Sequence, residues 1–468
     1  MGLKKNDVLT LDIIDVTNLG FGVARHEGEV IFVSDTVMGD LAKVKIIKCG
    51  SSFAVGRLEE LLSPSPYRIS GRCENTRCKS CAYKCLSYEK EAKIKEELVA
   101  SAFKKCGLGS VKVAPIVTSP STVGYRNKAQ YPIAKAPDGE YVIGFYAPKS
   151  HRVTEAADCP LAPKVFQRIL NTVRGFFKKH DLTVYNEETG EGLLRHVYLR
   201  RGEVSGEVLL TVVINGSSLP SCDELVRLIT ESFPEVVGIL LNVNRERTNV
   251  ILGEKYVTLY GRDYIFDTLA GVRLKITAPS FYQVNHDAAE LLLKKAKELA
   301  DLKESDTLLD LYCGAGSIGL SMAKDCHELI GIEIVDSAVE CAGFNARENG
   351  IANASFYTGD AKNTERLLES AEAIRGEKIL PDVVIFDPPR GGCDEVLLRH
   401  VALTLSPRKI VYISCNPQTL ARDTALLAPL GYTTDEVTPV DLFPGTGHVE
   451  SVVRLERRLD NELRERMN

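Results

Sequence analysis

Several features that would assign this chain to a specialised class of protein are missing from its sequence. No apolar run approaches the length of about 18 residues that marks a transmembrane helix. The residues that follow Met1 do not form the apolar stretch of a signal peptide, and Asn6 stands where a myristoylation signal needs serine or threonine. Internal repeats and low-complexity tracts are also absent. These absences predict a cytoplasmic globular protein that has no membrane partner.

A strong net charge is lacking as well, because 58 lysines and arginines and 63 aspartates and glutamates leave a formal charge of -5. The charge of the whole chain therefore gives no sign of nucleic-acid binding. Residues 67–105 depart from this mean, since they carry ten basic and five acidic side chains beside four closely spaced cysteines. Such a run forms either a solvated helix face or a surface that contacts phosphates.

The chain contains 13 cysteines, which in a large protein without an export signal favour metal, cluster or catalytic roles over disulfides. Cys73, Cys78 and Cys81 are separated by four and then two residues, a spacing at which three thiolates can bind one face of a metal centre. A fourth ligand could be the adjacent Cys85 or the distant Cys159. Soft thiolates suit zinc and an iron-sulfur cluster equally well.

The pattern of strands, turns and helices predicts three domains. Residues 1–60 contain short strand-like runs separated by glycine turns, which favour a small β-barrel of the OB type. Residues 61–275 begin with a proline-containing linker and read as a mixed α+β domain that includes the cysteines, and part of 88–117 is expected to pack on the third domain. Residues 276–468 alternate strand, turn and helix, so we predict an α/β fold with a doubly wound, Rossmann-like C-terminal domain.

Acidic residues stand near the ends of several predicted strands of the C-terminal domain, beside a glycine-rich loop. The loop Gly314–Gly319 follows the first of these strands, and by itself it suits NAD, FAD or S-adenosylmethionine. Glu333 follows at a distance that suits ribose hydroxyls, and Asp360 can accept a hydrogen bond from an adenine amino group. Together with Asp310, these acids suit the positive sulfonium of S-adenosylmethionine better than a pyrophosphate.

Cys415 lies in the stretch 409–419, where an apolar, β-branched run that we predict to be a buried strand ends in a small polar turn. An isolated buried cysteine is usually a core residue, but a thiol at a strand end of an open α/β sheet lies where such sheets bind ligands. Asp387 ends another strand, and the two prolines after it fix the backbone beside the cleft. Arg390 replaces the aromatic residue of a related motif in amino-methyltransferases of nucleic acids, which disfavours methylation of an exocyclic amine.

Five motifs in this order resemble the RNA 5-methyluridine (uracil-C5) methyltransferases of the RumA/TrmA type. They are the segments 280–285, 310–316, 387–392, 414–423 and 443–450. The first domain, with its glycine-rich turn at 20–24, resembles the TRAM domain, an RNA-binding module. The resemblance is greatest to the 23S rRNA enzymes with a TRAM domain, because tRNA-specific relatives typically lack both that domain and the cysteine cluster.

The resemblance implies a reaction and a set of residues for it. Cys415 matches the nucleophile that adds to uracil C6, and Glu450 matches the general base that later removes the C5 proton. The implied cofactor contacts are Gln283, Tyr312, Glu333, Asp387, Ser317 and Asp360. The implied ligands of a [4Fe-4S] cluster are Cys73, Cys78, Cys81 and Cys159, and zinc is the alternative metal.

The expected substrate is a uridine in a single-stranded or loop region of 23S rRNA, because the target base must leave its stack to reach Cys415. Two alternatives are tRNA as the substrate of the same reaction, and a non-catalytic RNA-binding or ribosome-assembly factor. DNA is not an expected partner, and we expect a monomer.

Overall fold

Six strands form a sheet at the start of the chain, in a computed structural model that describes residues 3–458 except 72, 74, 76, 77, 149, 157 and 377. The strands are β1 Val8–Asp12, β2 Asp15–Val16, β3 Gly22–His26, β4 Glu29–Ser34, β5 Leu41–Cys49 and β6 Phe53–Ser63. They pair in the order β1-β5-β6-β4-β3-β2. Alternate residues point to the same face of a strand, so small aliphatic side chains such as Ala24, Val33 and Val44 meet in a common core.

One helix and one short strand follow, α1 Tyr88–Lys105 and β7 Lys112–Val113, and then a central sheet. The elements of the central part are β8 Lys128–Lys135, β9 Tyr141–Tyr146, β10 Val153–Glu155, α2 Lys164–Lys179, β11 Leu194–Arg201, β12 Val208–Ile214, α3 Cys222–Ser232, β13 Val236–Val243 and β14 Lys255–Gly261. The seven strands pair in the order β10-β9-β8-β11-β12-β13-β14. Apolar side chains of α2 and α3 cover one face of this sheet and form its core.

The remaining elements belong to the C-terminal part of the chain. They are β15 Tyr264–Leu269, β16 Val272–Thr277, α4 His286–Ala300, β17 Thr307–Leu311, α5 Ser317–Met322, β18 Glu328–Glu333, α6 Asp336–Glu348, β19 Ala354–Thr358, α7 Thr364–Arg375, β20 Val383–Phe386, α8 Glu395–His400, β21 Lys409–Ser414, α9 Pro417–Leu427, β22 Tyr432–Thr433, β23 Glu436–Val440 and β24 Glu450–Arg457. This part of the chain also contains short helical segments of other types. They are 3-10 helices at Ala323–Asp325, Ala361–Asn363 and Ala428–Leu430 and a π-helix at Val401–Leu405. Strands β15 and β16 form a separate antiparallel hairpin.

The C-terminal sheet is doubly wound, as the alternation of strands and helices predicts. Its strands pair in the order β19-β18-β17-β20-β21-β24-β23-β7, and the first five run parallel. Every residue of β20 and β21 is buried, as expected for central strands with helices on both faces. The strand order reverses between β17 and β20, and open sheets of this kind bind ligands beyond the carboxyl ends of their strands at such a point.

Helix α1 and strand β7 precede the central sheet in the chain but pack on the C-terminal sheet. Val99 and Phe103 of α1 are buried in one apolar core with residues of β20 and β21. Strand β7 extends the edge of the sheet by pairing in parallel with β23. No helix in the described part of the chain combines the length and the apolar character that spanning a bilayer requires.

Candidate active site

A cavity of about 1170 Å³ lies at the carboxyl ends of the strands, at the point where the strand order reverses. It brings together seven of the eight residues that were predicted for catalysis and cofactor binding. These are Gln283, Tyr312, Glu333, Asp360, Asp387, Cys415 and Glu450. The eighth, Ser317, is the first residue of α5 and does not line the cavity.

The loop after β17 forms one end of the cavity. Tyr312 adopts the left-handed conformation, with a φ of 67°, which is uncommon for residues other than glycine. The backbone N–H groups of Tyr312 and Cys313 donate to the carbonyl of Ile332 at 3.0 and 3.1 Å, which holds this turn against β18. The Glu333 carboxylate accepts from Gly314 N at 3.1 Å and from Val335 N at 2.9 Å. The loop therefore fixes the orientation of both Tyr312 and Glu333.

Asp310 lies in strand β17, which leads into this loop, and it does not line the cavity. Its carboxyl is fully buried and accepts a hydrogen bond from Gly319 N at 2.9 Å. Burial raises the pKa of Asp310 to about 8, and the charges of Asp387 and Glu333 act in the same direction. The buried Asp310 carboxyl therefore keeps its proton to a higher pH than an exposed aspartate does.

Cys415 and Glu450 face each other across two neighbouring strand ends. Strands β21 and β24 are antiparallel, and Ser414 pairs with Ser451. Cys415 follows Ser414 and Glu450 precedes Ser451, so these two residues occupy the next opposed positions at the same edge of the sheet. The thiol and the carboxyl, separated by 34 intervening residues in the chain (416 to 449), therefore line one cavity.

The pKa values of this pair are shifted upward. The pKa of Glu450 is raised to about 8, mainly by burial and then by the charge of Asp387, while Arg390 lowers it. Burial, followed by the charge of Glu450, also raises the pKa of Cys415, and a hydrogen bond and the charge of Arg390 oppose that shift. A proton on either group is consequently retained at neutral pH unless a cation or substrate stabilises the anion.

Arg390 is the main functional residue that the sequence reasoning missed. Its guanidinium faces both Cys415 and Glu450, and its Nη2 lies 3.4 Å from Nε2 of His448. The carbonyl of Arg390 accepts from Nδ2 of Asn416 at 3.1 Å, which ties the end of β20 to the start of α9. The sequence did contain a signal for Arg390. It lies two residues after the first proline of the turn that begins at Asp387, and that turn places side chains at the cleft.

Two aromatic side chains of the cavity were also missed. Phe281 lines the cavity while 67% of its surface remains exposed, and Phe443 contacts His448 with ring centroids 5.9 Å apart. An exposed aromatic ring beside a cleft is suited to stacking against a base.

A second cavity gathers the cysteines that were predicted to bind a metal centre. Cys73, Cys78, Cys81 and Cys159 all line it. Cys85 does not, because it packs against the apolar cluster that contains Val16 and Tyr83. The pKa of Cys81 is raised to about 12 by burial first and then by the charges of the other three thiols, so the four groups interact electrostatically. No three His, Cys, Asp or Glu side chains among the described residues are arranged to hold a single metal ion.

A buried ionic network holds the segment Asp441–Val449, which leads into Glu450. The Nζ of Lys95, on α1, donates to Glu91 at 2.7 Å, to Asp441 at 2.8 Å and to the carbonyl of Phe443 at 3.1 Å. All three charged side chains of this network are fully buried. Glu91 also accepts from Gly445 N at 2.6 Å, so α1 positions the segment that precedes the proposed base.

Replacing Lys95 with methionine is expected to lower the free energy of unfolding by about 3–5 kcal/mol, because it leaves two carboxylates buried without their cation. Urea unfolding at neutral pH measures the change. The matched control is Lys93→Met on the same helix, where Lys93 is 60% exposed and pairs with Glu96 at 2.9 Å, and we expect a loss of at most about 1 kcal/mol there. Equal losses in the two variants would contradict the assigned role of Lys95.

A doubly wound sheet with a glycine loop after one strand, an acid at the end of the next and a cavity at the switch point has the architecture of a Rossmann-like, nucleotide-binding enzyme, the class to which S-adenosylmethionine-dependent methyltransferases belong. Residues 244–458 match the tRNA (uracil-5-)-methyltransferase family, and residues 3–58 match the TRAM domain. The chain belongs to the RNA uracil-5-methyltransferase family.

Similar proteins cover nearly the whole chain. An uncharacterized RNA methyltransferase of Bacillus cereus ATCC 10987 is 39% identical over 457 residues, which are 97% of this chain and 98% of the relative. An uncharacterized RNA methyltransferase of Clostridium tetani is 36% identical over 453 residues, 96% of each chain. The structure of the Pyrococcus abyssi tRNA (uracil-54, C5)-methyltransferase in complex with S-adenosyl-L-homocysteine aligns with a TM-score of 0.74 and 27% identity, over 95% of this chain and all of that one.

These comparisons confirm the predicted family, the α/β fold with an N-terminal TRAM domain, and S-adenosylmethionine as the cofactor. They support RNA as the class of substrate. The particular RNA, the covalent mechanism and the role of each side chain are matters for the proposal that follows.

Proposed function

We propose that this protein methylates C5 of a uridine in 23S rRNA through a transient bond between Cys415 and C6 of the uracil. The observation that carries the proposal is the opposition of Cys415 and Glu450 in the cavity that also contains the proposed cofactor contacts. A nucleophile and a base at one edge of the sheet are what addition to C6 and removal of the C5 proton require.

The steps follow from the chemistry of the two groups. The Cys415 thiolate adds to C6, and the electron pair of the C5–C6 double bond then makes C5 a nucleophile. S-adenosylmethionine, when bound, would supply an electrophilic methyl group to that carbon, with cleavage of its S–CH3 bond leaving S-adenosylhomocysteine. The Glu450 carboxylate removes the C5 proton, the double bond re-forms, and the Cys415 thiolate leaves. The positive charge of Arg390 favours both anions, since it lowers the pKa of each group.

The other predicted site residues are proposed to bind the cofactor. Support for five of them is that they line the same cavity as Cys415 and Glu450. These are Gln283, Tyr312, Glu333, Asp360 and Asp387. Ser317, the first residue of α5, is also proposed to contact the cofactor, from the glycine loop and outside the lining of the cavity.

Ribosomal RNA is the proposed substrate on the basis of the domain composition, a TRAM domain followed by the cysteine cluster. tRNA is the second candidate, because the archaeal enzyme that aligns over 95% of this chain is a tRNA methyltransferase. The experiment is methylation in vitro of purified rRNA and purified tRNA, both from a strain that lacks this protein, with radiolabelled S-adenosylmethionine. We expect 5-methyluridine in the 23S fraction, and labelling of tRNA alone would overturn the proposed substrate.

We also propose that Cys73, Cys78, Cys81 and Cys159 hold a [4Fe-4S] cluster. Their convergence on one cavity supports this assignment. Zinc bound by the same thiolates is the alternative, and no three potential ligands among the described side chains are arranged around a single metal ion. The cluster would tie the cysteine loop to the segment around Cys159.

Protein purified without oxygen is expected to be brown and to contain iron, whereas a colourless protein that contains zinc would overturn the cluster. Cys159→Ser should lose the colour, since Cys159 lines the cavity. Cys85→Ser is the matched control and should retain it, because Cys85 packs elsewhere.

The kcat at saturating RNA and S-adenosylmethionine is expected to increase with pH between about 6.5 and 8.5, by up to roughly tenfold per unit at the acid end. Glu450 acts in its ionised form after methyl transfer and its pKa is raised to about 8, so the active carboxylate accumulates as pH increases. A pH profile of kcat tests this. Asp360→Asn should leave the midpoint unchanged because the pKa of Asp360 is lowered, and a flat wild-type profile would contradict the proposed base.

A further inference from the structure

A separate cavity of about 190 Å³ opens on another side of Cys415. Its walls come from three parts of the chain: the TRAM loop between β2 and β3, helix α1, and the segments around the catalytic cysteine. Among the lining residues are Asn18, Leu98, Arg390, Cys415, Gln418 and His448. Cys415, Arg390 and His448 line both this cavity and the cofactor cavity, so the two meet at the nucleophile.

The TRAM loop is seated closely against the catalytic segment. A Cβ atom at Gly447 would lie 1.7 Å from the carbonyl oxygen of Asn18, and one at Gly20 would lie 2.4 Å from the carbonyl oxygen of Ala82. Within the loop, the backbone N–H of Gly20 donates to the carbonyl of Thr17 at 2.9 Å. Only residues without a side chain permit this packing, which defines the position of Asn18 at the cavity.

The lining of this cavity includes Asn18 and Gln418, two exposed residues whose side-chain amides have no hydrogen-bond partner among the described residues. The amide of Asn416, between them and Cys415, is used differently: its oxygen accepts from Gln418 N at 3.1 Å, and its nitrogen donates to the carbonyl of Arg390. A free amide offers one acceptor and two donors, the set that recognises the edges of nucleobases.

We propose that this cavity binds a nucleotide that flanks the target uridine, with Asn18 and Gln418 contacting the edge of its base. The inference rests on the proposed function, because a uracil bonded to Cys415 carries RNA on both sides. The proposed cofactor contacts line the larger cavity, so we assign the flanking nucleotide to the smaller cavity, which meets the larger one at Cys415. Single-stranded RNA with splayed bases fits such a path. The TRAM domain thereby selects the sequence beside the target.

The test uses hairpin RNAs with one uridine in a loop whose other positions are randomised. The enzymes are the wild type, Asn18→Ala, Gln418→Ala and the double variant, with Ser52→Ala as the control at an exposed TRAM position outside the cavity. Sequencing of the methylated RNAs is expected to show a base preference at one flanking position for the wild type and for Ser52→Ala. The double variant should lose that preference and raise the KM for RNA about tenfold, with the KM for S-adenosylmethionine unchanged.

Unchanged selection and an unchanged KM for RNA in the double variant would overturn the proposal. A rise in both KM values would also overturn it, because that result indicates a general loss of structure. Selection of bound RNAs by the Cys415→Ala protein separates this inference from the proposed function, since it needs no methylation. If the wild type binds RNA with a flanking preference but forms no 5-methyluridine, the proposed reaction fails and the nucleotide site stands.

Discussion

Cys415→Ala is expected to abolish methyl transfer, with a loss in kcat of roughly four orders of magnitude or more, because it removes the group that makes C5 nucleophilic. The side chain is half-buried at the end of β21, and alanine fits there without strain. The variant should therefore fold and bind both RNA and S-adenosylmethionine. The measurement is single-turnover transfer of a labelled methyl group to RNA, together with the dissociation constants of both ligands.

The matched control is Cys393→Ala. Cys393 also lines the cavity, but it is buried beside Tyr312 and Tyr412 and does not face Glu450. We expect the control to retain turnover within about tenfold of the wild type, since only packing around the cofactor site changes. Turnover by Cys415→Ala at the rate of this control would exclude the covalent mechanism. Loss of RNA binding in Cys415→Ala would instead assign the thiol a structural role.

The strand ends of the catalytic domain could be predicted from the sequence because each one is a local pattern. An apolar run followed by a polar turn marks Asp387 and Cys415 in the same way, and parallel strands bring such ends to one edge of a sheet. The pairing of Cys415 with Glu450 is different. It depends on the register between β21 and β24, which is set by hydrogen bonds between distant segments and leaves no local signal.

Contacts between distant segments account for the rest of what the sequence did not reveal. Lys95 was one of ten basic residues in a charged run, and nothing within that run indicates that it bonds Asp441, 346 residues away. The choice between Cys85 and Cys159 was open for the same reason, because spacing alone cannot show which thiol shares a cavity with the other three. Asn18 lies in a glycine turn whose neighbour, Gly447, belongs to the other end of the chain.

The electrostatic role of Arg390 could not be predicted from the sequence either. In the sequence, Arg390 was interpreted by the aromatic residue that it replaces in a related motif, and that comparison says nothing of the contacts of Arg390 itself. In the structure its charge lowers the pKa of both Cys415 and Glu450, so it acts on the two groups whose ionisation the reaction needs. A comparison of motifs identifies such a position, and only the three-dimensional arrangement shows what its charge does.

Glu450→Gln is expected to stop the reaction after methyl transfer and to accumulate RNA bonded to Cys415. Glutamine has nearly the same shape as protonated glutamic acid, the form that the raised pKa of Glu450, about 8, favours. The variant should thus fold normally, add its thiol to C6 and transfer the methyl group. It cannot remove the C5 proton, so the thiolate has no route out by elimination and turnover should fall by roughly 10²–10⁴-fold.

The adduct is measured as a band of protein and RNA that resists denaturing detergent and carries the labelled methyl group. The double variant Cys415→Ala/Glu450→Gln is the control and should give no band, because the bond needs the thiol. A methylated adduct in the single variant alone would separate the two roles: Cys415 acts before methyl transfer and Glu450 after it. Free 5-methyluridine RNA at the wild-type rate, or inactivity without any adduct, would remove Glu450 from the role of base, and the buried carboxyl would then serve only to set the ionisation of the thiol opposite it.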